Sequence, residues 1–561
     1  MSESRQPRTG GQLLVESILS HGGDTGFCVP GESYLAVLDA LHEAGDAFRL
    51  ITCRHEAGAA NAAEAWGKLT GRPGLCFVTR GPGATHASVG VHTAFQDSTP
   101  MILFVGDVAR SDRGREAFQE VDFDAMFAPL AKWAATIDSA ARVPEFVARA
   151  FAVAMSGRPG PVVLALPEDM LTESAAVAVR EPGHAAPPAP VPAAMDMLAQ
   201  LLAKAERPLA VLGGPGWDGE TCAQMAETLA RWDLPAVTSF RAKDRLDNGH
   251  ACYAGDMGIG IDPALGKRIE RADLLIVLGA RLGEMTTAGY TRPLAPLPGQ
   301  TLVHVHPSAD ELNRVYRADL AIASAIGPFV AAFGALTPPS PAPWAPWRSE
   351  ARSAYETWIR PVTPPGDVNP AAIMATLRQF TPDDPIVTNG AGNYAGWVHR
   401  FHLHRSYPSQ LGPTSGAMGY GLPAAIAAKL RYPDRTVVCT AGDGCFMMIA
   451  QELATAVQYG LGIIVLVFDN GMYGTIRMHQ ERAYPAHVIG TALRNPDFAA
   501  MAESFGAHGA HVRTTAQFAP AFRAALGRTG PTVLHIHTDP EAITPATTLS
   551  AIRAAGAAAK A

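Results

Sequence analysis

The sequence predicts an α/β protein built from three doubly wound parallel-sheet domains. Three observations carry that prediction. Short β-branched, apolar runs alternate with helix-forming stretches of 3/4 apolar spacing along nearly the whole chain, the pattern of βαβ units. Two proline-rich stretches, EPGHAAPPAPVPAA (181–194) and TPPSPAPWAPW (337–347), cut the alternation into three and read as linkers. Finally, GRPGPVVLALPED (157–169) and GRTGPTVLHIHTD (527–539) share seven of thirteen positions, and each closes its own domain. The first and third domains therefore read as diverged copies of one fold, with the second inserted between them.

The first domain covers residues 8–180. Strands ending near Val29, Cys53, Val78 and Val105 are each followed by a turn and a helical stretch. The turns PGES from Pro30, RHEAG from Arg54, RGPGAT from Arg80 and GDVAR from Gly106 fall at strand carboxyl ends, where open α/β sheets bind ligands. The second domain, 195–336, carries strands near 209–212, 236–239, 274–278 and 302–305. The third spans 360–545, with buried strands over 436–440 and 463–468 joined by one helix over 447–459. The tail after Pro540 is alanine-rich, and its helix is expected either to pack on the body or to fray.

A chain of 561 residues is too long for one core, which suits three domains. With a mild net charge of −7, nothing suggests nucleic acid or an anionic membrane as a partner. Seven cysteines show no CxxC pair or regular spacing and read as free thiols in a reducing compartment. MSESRQPRTG has no apolar signal core, and no apolar run reaches membrane-spanning length, so a cytoplasmic protein is expected.

Chemistry concentrates in residues 436–480. A Gly442-Asp443-Gly444 turn, a helix, a strand and a second turn at Asp469-Asn470-Gly471 bring Asp443 and Asn470 to the same sheet edge. Two hard oxygen ligands side by side, completed by water and phosphate oxygens, suit Mg²⁺ holding a diphosphate. The small residues of GAGNYAGWV, with Gly390, Gly392 and Asn393, end another strand where backbone N–H groups can approach a diphosphate.

GDG followed by an Asn turn resembles the diphosphate motif of the thiamine diphosphate (ThDP) enzymes, with Asp469 at the position of the first Asn of their NN. The resemblance implies Mg²⁺ held by Asp443, Asn470 and the Met472 carbonyl, with Gly442, Gly444, Cys445, Tyr473 and Gly474 completing the cofactor site. Cys445 stands where the family usually has Ser. RHEAGAANAAEAWGKL resembles the family's RHExxA segment, which assigns Glu56 to the cofactor's pyrimidine N1′. SGAMGYGLPAAIAAKL resembles GTMGFGLPAAIGA, which assigns Met418 to supporting the bent cofactor and the Gly416 carbonyl to its 4′-amino group. The fold implied has pyrimidine-binding, central and diphosphate-binding domains.

Beyond the cofactor motifs, RGPGATHASVGVHTAFQDSTP, AFQEVD and LGARLG resemble the acetolactate synthase branch. The implied reaction is decarboxylation of a small 2-oxo acid followed by carboligation. Phe118 and Gln119 then line the reaction chamber and Lys132 its entrance. Departures mark the acceptor side: Met285 replaces an arginine of the GARFDDR segment, His479 a tryptophan of RQWQ, Arg80 a serine and His86 an asparagine. Losing a bidentate cation weakens recognition of a carboxylate acceptor, so a C–C lyase, or a simple decarboxylase of 2-oxo acids or acyl-CoA substrates, is the alternative. A non-catalytic binder is disfavoured by the joint presence of Glu56, Asp443, Asn470 and Met418. Relatives bind FAD in the central domain; Gly213, Gly214, Gly216 and Arg281 are present for FAD or an adenine nucleotide, while the DDR of that segment is missing. The resemblance also implies a homodimer or homotetramer in which Glu56 of one subunit meets the Asp443 anchor of another.

Overall fold

The structure, a computed structural model, describes residues 6–183 and 185–560. Residues 1–5 of the N-terminal segment and residue 184 of the first proline-rich stretch lie outside the described residues. The chain divides into two compact units, one of residues 1–185, 415–433 and 449–461, the other of 186–414, 434–448 and 462–561.

The first unit holds a six-stranded sheet and one short antiparallel pair. In chain order the strands are β1 Arg8–Thr9, β2 Thr25–Cys28, β3 Arg49–Thr52, β4 Gly74–Val78, β5 Met101–Asp107, β6 Trp133–Thr136, β7 Pro161–Pro167 and β8 Ser174–Ala175. β1 pairs with β8, and the sheet runs β3-β2-β4-β5-β7-β6, parallel throughout. Strands buried on both faces explain the continuous apolar runs LCFV and ILFV. The helix Glu56–Thr70 packs on the helices Gly81–Asp97 and Gly421–Arg431. Its alanine and glycine stripe permits this approach: a Cβ on Gly90 would lie 2.4 Å from that of Ala60. A buried polar group fastens these helices. Glu64 accepts from Tyr420 Oη at 2.6 Å and Thr99 Oγ1 at 2.7 Å, while Lys68 bridges Glu64 and Asp97.

The second unit holds two further parallel sheets. The central one contains β9 Pro208–Leu212, β10 Ala236–Thr238, β11 Tyr253–Asp256, β12 Leu274–Leu278, β13 Thr301–His306 and β14 Leu320–Ala323, in the order β11-β10-β9-β12-β13-β14. β11 and β14 are additional to the strands expected from sequence. Both are four residues long, and YAGD carries a glycine and an acid where an apolar run would signal a strand. The last sheet contains β15 Ile386–Asn389, β16 Gln410–Leu411, β17 Val437–Gly442, β18 Ile463–Asp469, β19 His508–Val512 and β20 Thr532–His537, in the order β16-β15-β17-β18-β20-β19. That is the order of the first sheet strand for strand, with the repeated Gly-Pro segments supplying β7 and β20.

The central and last sheets are joined through buried charge. Lys243 donates to the carbonyls of His399 and His402, and Asp244 Oδ2 accepts from the N–H groups of Ser409 and Gln410 at 3.0 and 3.1 Å.

The single helix expected over 447–459 is two, Asp443–Met447 and Glu452–Gln458. The backbone between them tightens into i→i−3 bonds from Glu452, Leu453 and Ala454 to Ile449, Ala450 and Gln451. The C-terminal helix Leu549–Ala558 packs on the helix Gly474–Ala483, the first of the two outcomes expected for the tail. None of the seven cysteines forms a disulfide, and all are buried. Among the described residues no helix is long and apolar enough to cross a membrane.

Candidate active site

In the last sheet, order reverses between β15 and β17, and the turns after these strands face a common crevice. Asp443 leaves β17 and opens a short helix, its Oδ1 accepting the Gly444 N–H at 2.8 Å. Its Oδ2 accepts from Met472 N at 3.2 Å and from Asn495 Nδ2 at 2.8 Å. Asn470 Oδ1 accepts the same Met472 N–H at 3.3 Å, so Asp443 and Asn470 converge on one backbone position. That backbone is held by Tyr473 N donating to Thr491 O and Leu493 N donating to Gly471 O.

Asp469 stands beside this pair. Asn495 Nδ2 also donates to Asp469 Oδ1 at 2.8 Å, bridging the two carboxylates, and His535 Nε2 lies 2.9 Å from Asp469 Oδ2. Burial pushes the Asp443 carboxyl up to about 6, with Asp469 adding to the rise. Against burial, His535, Asn495 and the Gly471 N–H hold Asp469 near 2. Asp443 and Asn470 present hard oxygen donors side by side, with the Asp469 carboxylate next to them, the ligand type that suits Mg²⁺. The donor set therefore fits Mg²⁺ and a diphosphate.

The glycines of this crevice answer to aromatic rings. A Cβ on Gly392 or on Gly442 would lie 2.9 Å from the Tyr394 ring, and one on Gly444 would lie 2.5 Å from Tyr473. Tyr394 Oη accepts the Gly390 N–H at 2.9 Å and lies 3.6 Å from Cys445 Sγ. Asn393 Oδ1 accepts from Thr475 Oγ1 at 2.9 Å, tying the two turns together. Gly474 opens the helix that carries His479 on an exposed position. That helix is fixed by Glu481, whose buried carboxylate pairs with Arg477 and Arg553 and is held near 2, first by Arg553. Met285 is partly exposed in the loop after β12. The central-domain glycines have a packing reason: a Cβ on Gly213 would meet Ser239 Oγ at 1.9 Å and one on Gly214 would meet Gly279 O at 1.8 Å. Arg281 lies 3.6 Å from Glu311 in an ion pair.

In the first unit, Glu56 begins its helix with His55 as the N-cap. Its Oε2 is 2.9 Å from His86 Nδ1, and its Oε1 has no hydrogen-bond partner among the described residues. The mostly shielded carboxylate therefore presents one open oxygen, which fits a ring nitrogen such as the pyrimidine N1′. The His55 and His86 rings lie 4.5 Å apart. Beneath the turn, fully buried Glu452 accepts from Arg54 N at 3.0 Å, His55 N at 2.9 Å and Thr455 Oγ1 at 2.6 Å. Gly58 admits it, since a Cβ there would lie 2.3 Å from Glu452 Oε1.

Arg80 follows β4, donating to Glu168 at 2.6 Å and to the Phe118 carbonyl at 3.4 Å, so its charge is already engaged. Phe118 is 71 % exposed. Gln119 adopts a positive φ of 64°, its carbonyl accepts the Gly81 N–H at 3.0 Å, and its buried Oε1 lacks a partner. Gly416, at φ 70°, and half-buried Met418 precede the helix Gly421–Arg431. Lys132 is turned elsewhere. It precedes β6 at the opposite edge of the sheet, where its ammonium donates to the Val153 and Ser156 carbonyls at a helix end. Burial lowers it to about 8.

Glu452, Asn495, Tyr394 and Arg553 are the residues sequence reasoning missed. An acid inside the apolar run MMIAQELATAV was the one signal available for Glu452.

Three parallel sheets, two of them alike, with a carboxylate and a carboxamide converging at the end of the last, are the features of a cofactor-dependent α/β enzyme. Family models agree domain by domain: the thiamine pyrophosphate enzyme N-terminal TPP binding domain matches residues 8–126, the central domain 195–333 and the C-terminal TPP binding domain 390–536. The chain is 32% identical to the acetolactate synthase large subunit of Parasynechococcus marenigrum, over 95% of this chain and 88% of that one. It is likewise 32% identical to the acetolactate synthase isozyme 2 large subunit of Escherichia coli, over 94% and 95% of the two chains. The chain belongs to the thiamine pyrophosphate enzyme family, in its acetolactate synthase-like group.

Proposed function

We propose that the protein is a Mg²⁺- and ThDP-dependent enzyme that decarboxylates a small 2-oxo acid and passes the remaining fragment to a carbonyl acceptor. The observation that supports this best is the convergence of Asp443 and Asn470 on the Met472 backbone beside a second carboxylate. Bound ThDP supplies the nucleophilic carbon and the electron sink that decarboxylation needs. Asp443, Asn470 and the Met472 carbonyl hold the cation, with the turns at Gly390–Asn393 and Gly442–Cys445 around the diphosphate. Glu56 holds or releases a proton at the pyrimidine N1′ through its open Oε1. Met418 and Gly416 orient the cofactor, and Gln119, with its unpartnered buried oxygen, faces the reacting carbonyl. We read the central sheet as structural. The working form is a homodimer or homotetramer, with Glu56 of one subunit serving the Asp443 anchor of another.

A decarboxylase or C–C lyase without ligation is the second reading. It is favoured by the uncharged Met285 and by the engagement of Arg80 with Glu168, which leave the two substituted positions without a committed cation for a second carboxylate. Pyruvate turnover followed for both CO₂ and acetolactate decides between them. Acetolactate in proportion to CO₂ supports ligation; CO₂ or aldehyde without acetolactate rejects it.

A further inference from the structure

A cluster of nitrogen donors lies on β19 and β20 of the last sheet. His511 in β19 is directly opposite His535 in β20, and His537 is two residues further along β20. The pleat puts all three on one face. One ring nitrogen of each lies within 4.8 Å of the other two, and His511 Nδ1 is 3.1 Å from His537 Nε2. Two nitrogens on one tetrahedral ion at ~2.0–2.1 Å stand about 3.3 Å apart, so this spacing already suits ligands of a common metal.

The far sides of two rings are set by carboxylates. His535 Nε2 is 2.9 Å from Asp469 Oδ2, and His511 Nε2 is 3.2 Å from Asp497 Oδ2. A carboxylate there keeps the ring proton on Nε2 and leaves Nδ1 with the free lone pair, which on His511 faces His537. His535 is 3 % exposed, yet its Nδ1 has no hydrogen-bond partner; Asp497 Oδ1, at 3.7 Å, is too far. The tilted contact of His535 with His537, with centroids 4.1 Å apart, accounts for the packing but not for a buried ring nitrogen left unsatisfied.

We propose that His511, His535 and His537 bind one divalent transition-metal ion of the Zn²⁺ class, with Asp469 and Asp497 holding two rings in the ligating tautomer. The two carboxylates balance the ion's charge, with the Arg513 guanidinium opposing them near His537. Partial exposure of His511 and His537 leaves a fourth position for water. Three imidazoles select against Mg²⁺, so this site and the oxygen-donor site at Asp443 discriminate between ions while touching through Asp469 and Asn495. The inference stands independently of the reaction proposed above.

The test is titration of chelator-stripped full-length protein with Co²⁺, without Mg²⁺ or ThDP, read by visible d–d absorption. One equivalent is expected to bind, to be displaced by Zn²⁺ and to resist excess Mg²⁺. Substitutions H511N and H537N, checked for folding by circular dichroism, each weaken Co²⁺ more than about tenfold, and D497N weakens it ~10–100-fold. Asn caps a helix as well as Asp, so D497N spares the cap on Ala499 and Ala500. H86N dismantles the other group of imidazoles and carboxylate, His55, Glu56 and His86, and leaves the signal intact. Unchanged Co²⁺ affinity in H511N and H537N, or loss of the signal in H86N instead, overturns the proposal.

Discussion

The first and last sheets share one strand order and differ in what their strand ends carry. The first pairs an acid with nitrogen: Glu56 lies against His86, with the turn underneath gripped by Glu452. The last ends in oxygen: Asp443 and Asn470 share the Met472 N–H, and Asp469 is bridged to Asp443 by Asn495. A common backbone thus supports one edge suited to moving a proton and another suited to holding a cation. The difference lies mostly in turn residues; the strands of both sheets are largely apolar, with His511, His535 and His537 of the last as exceptions.

The largest effect that tests this division is expected at Asp443. Asp443→Ala removes the buried carboxylate and weakens Mg²⁺-dependent ThDP binding by about 3 kcal/mol or more, ~100-fold, in calorimetric titration. Glu56→Gln comes next, acting on the other edge. Exchange of the cofactor's C2 proton, followed by NMR, falls by ~10²–10⁴ while ThDP affinity is nearly unchanged. Equal loss of binding in both variants would dissolve the division between the two edges.

Acidity sharpens the same contrast. Asp443 sits near 6, above its unfolded value of about 3.9, so its proton competes with the metal, and each pH unit below about 6 costs about tenfold in Mg²⁺ affinity. In metal-free protein the sign is reversed. A raised folded pKa favours the folded state at low pH, and that contribution is lost as pH rises through about 6. The gap in Tm between loaded and metal-free protein therefore widens from about pH 5 to about pH 7. Glu452→Gln is expected to cost about 1–3 kcal/mol in urea unfolding without touching metal binding, because its effect is confined to the turn before Glu56. Smallest is Arg553→Ala, at about 0.5–1 kcal/mol, since Arg553 is partly exposed and Glu481 keeps Arg477 and the Ala486 N–H.

What the sequence made legible was local. Strand ends near Val78 and over 274–278 and the Gly442–Gly444 turn are each specified within a few residues. The repeat at 157–169 and 527–539 announced the shared strand order before any topology was known. The rest required contacts between distant segments. Asn495 reaches back to Asp443 and Asp469, Glu452 to Arg54, and Arg553 to Glu481, and no periodicity encodes such pairs. The break between Met447 and Glu452 escaped because its residues are good helix formers, and nothing local in the sequence marks it.

Tyr394 carries a consequence for how this site can change. Its ring occupies the space that side chains on both Gly392 and Gly442 would need. A mutational walk is therefore barred from enlarging Gly442 until the ring has shrunk, Gly392 is held to glycine by its φ of 144° as well, and shrinking the ring first opens a void beside the Gly390 N–H that it now accepts from. Neither order is easy alone. Substitutions here are expected to be epistatic, and a library that varies positions 394 and 442 together will reach variants that single-site scanning would discard.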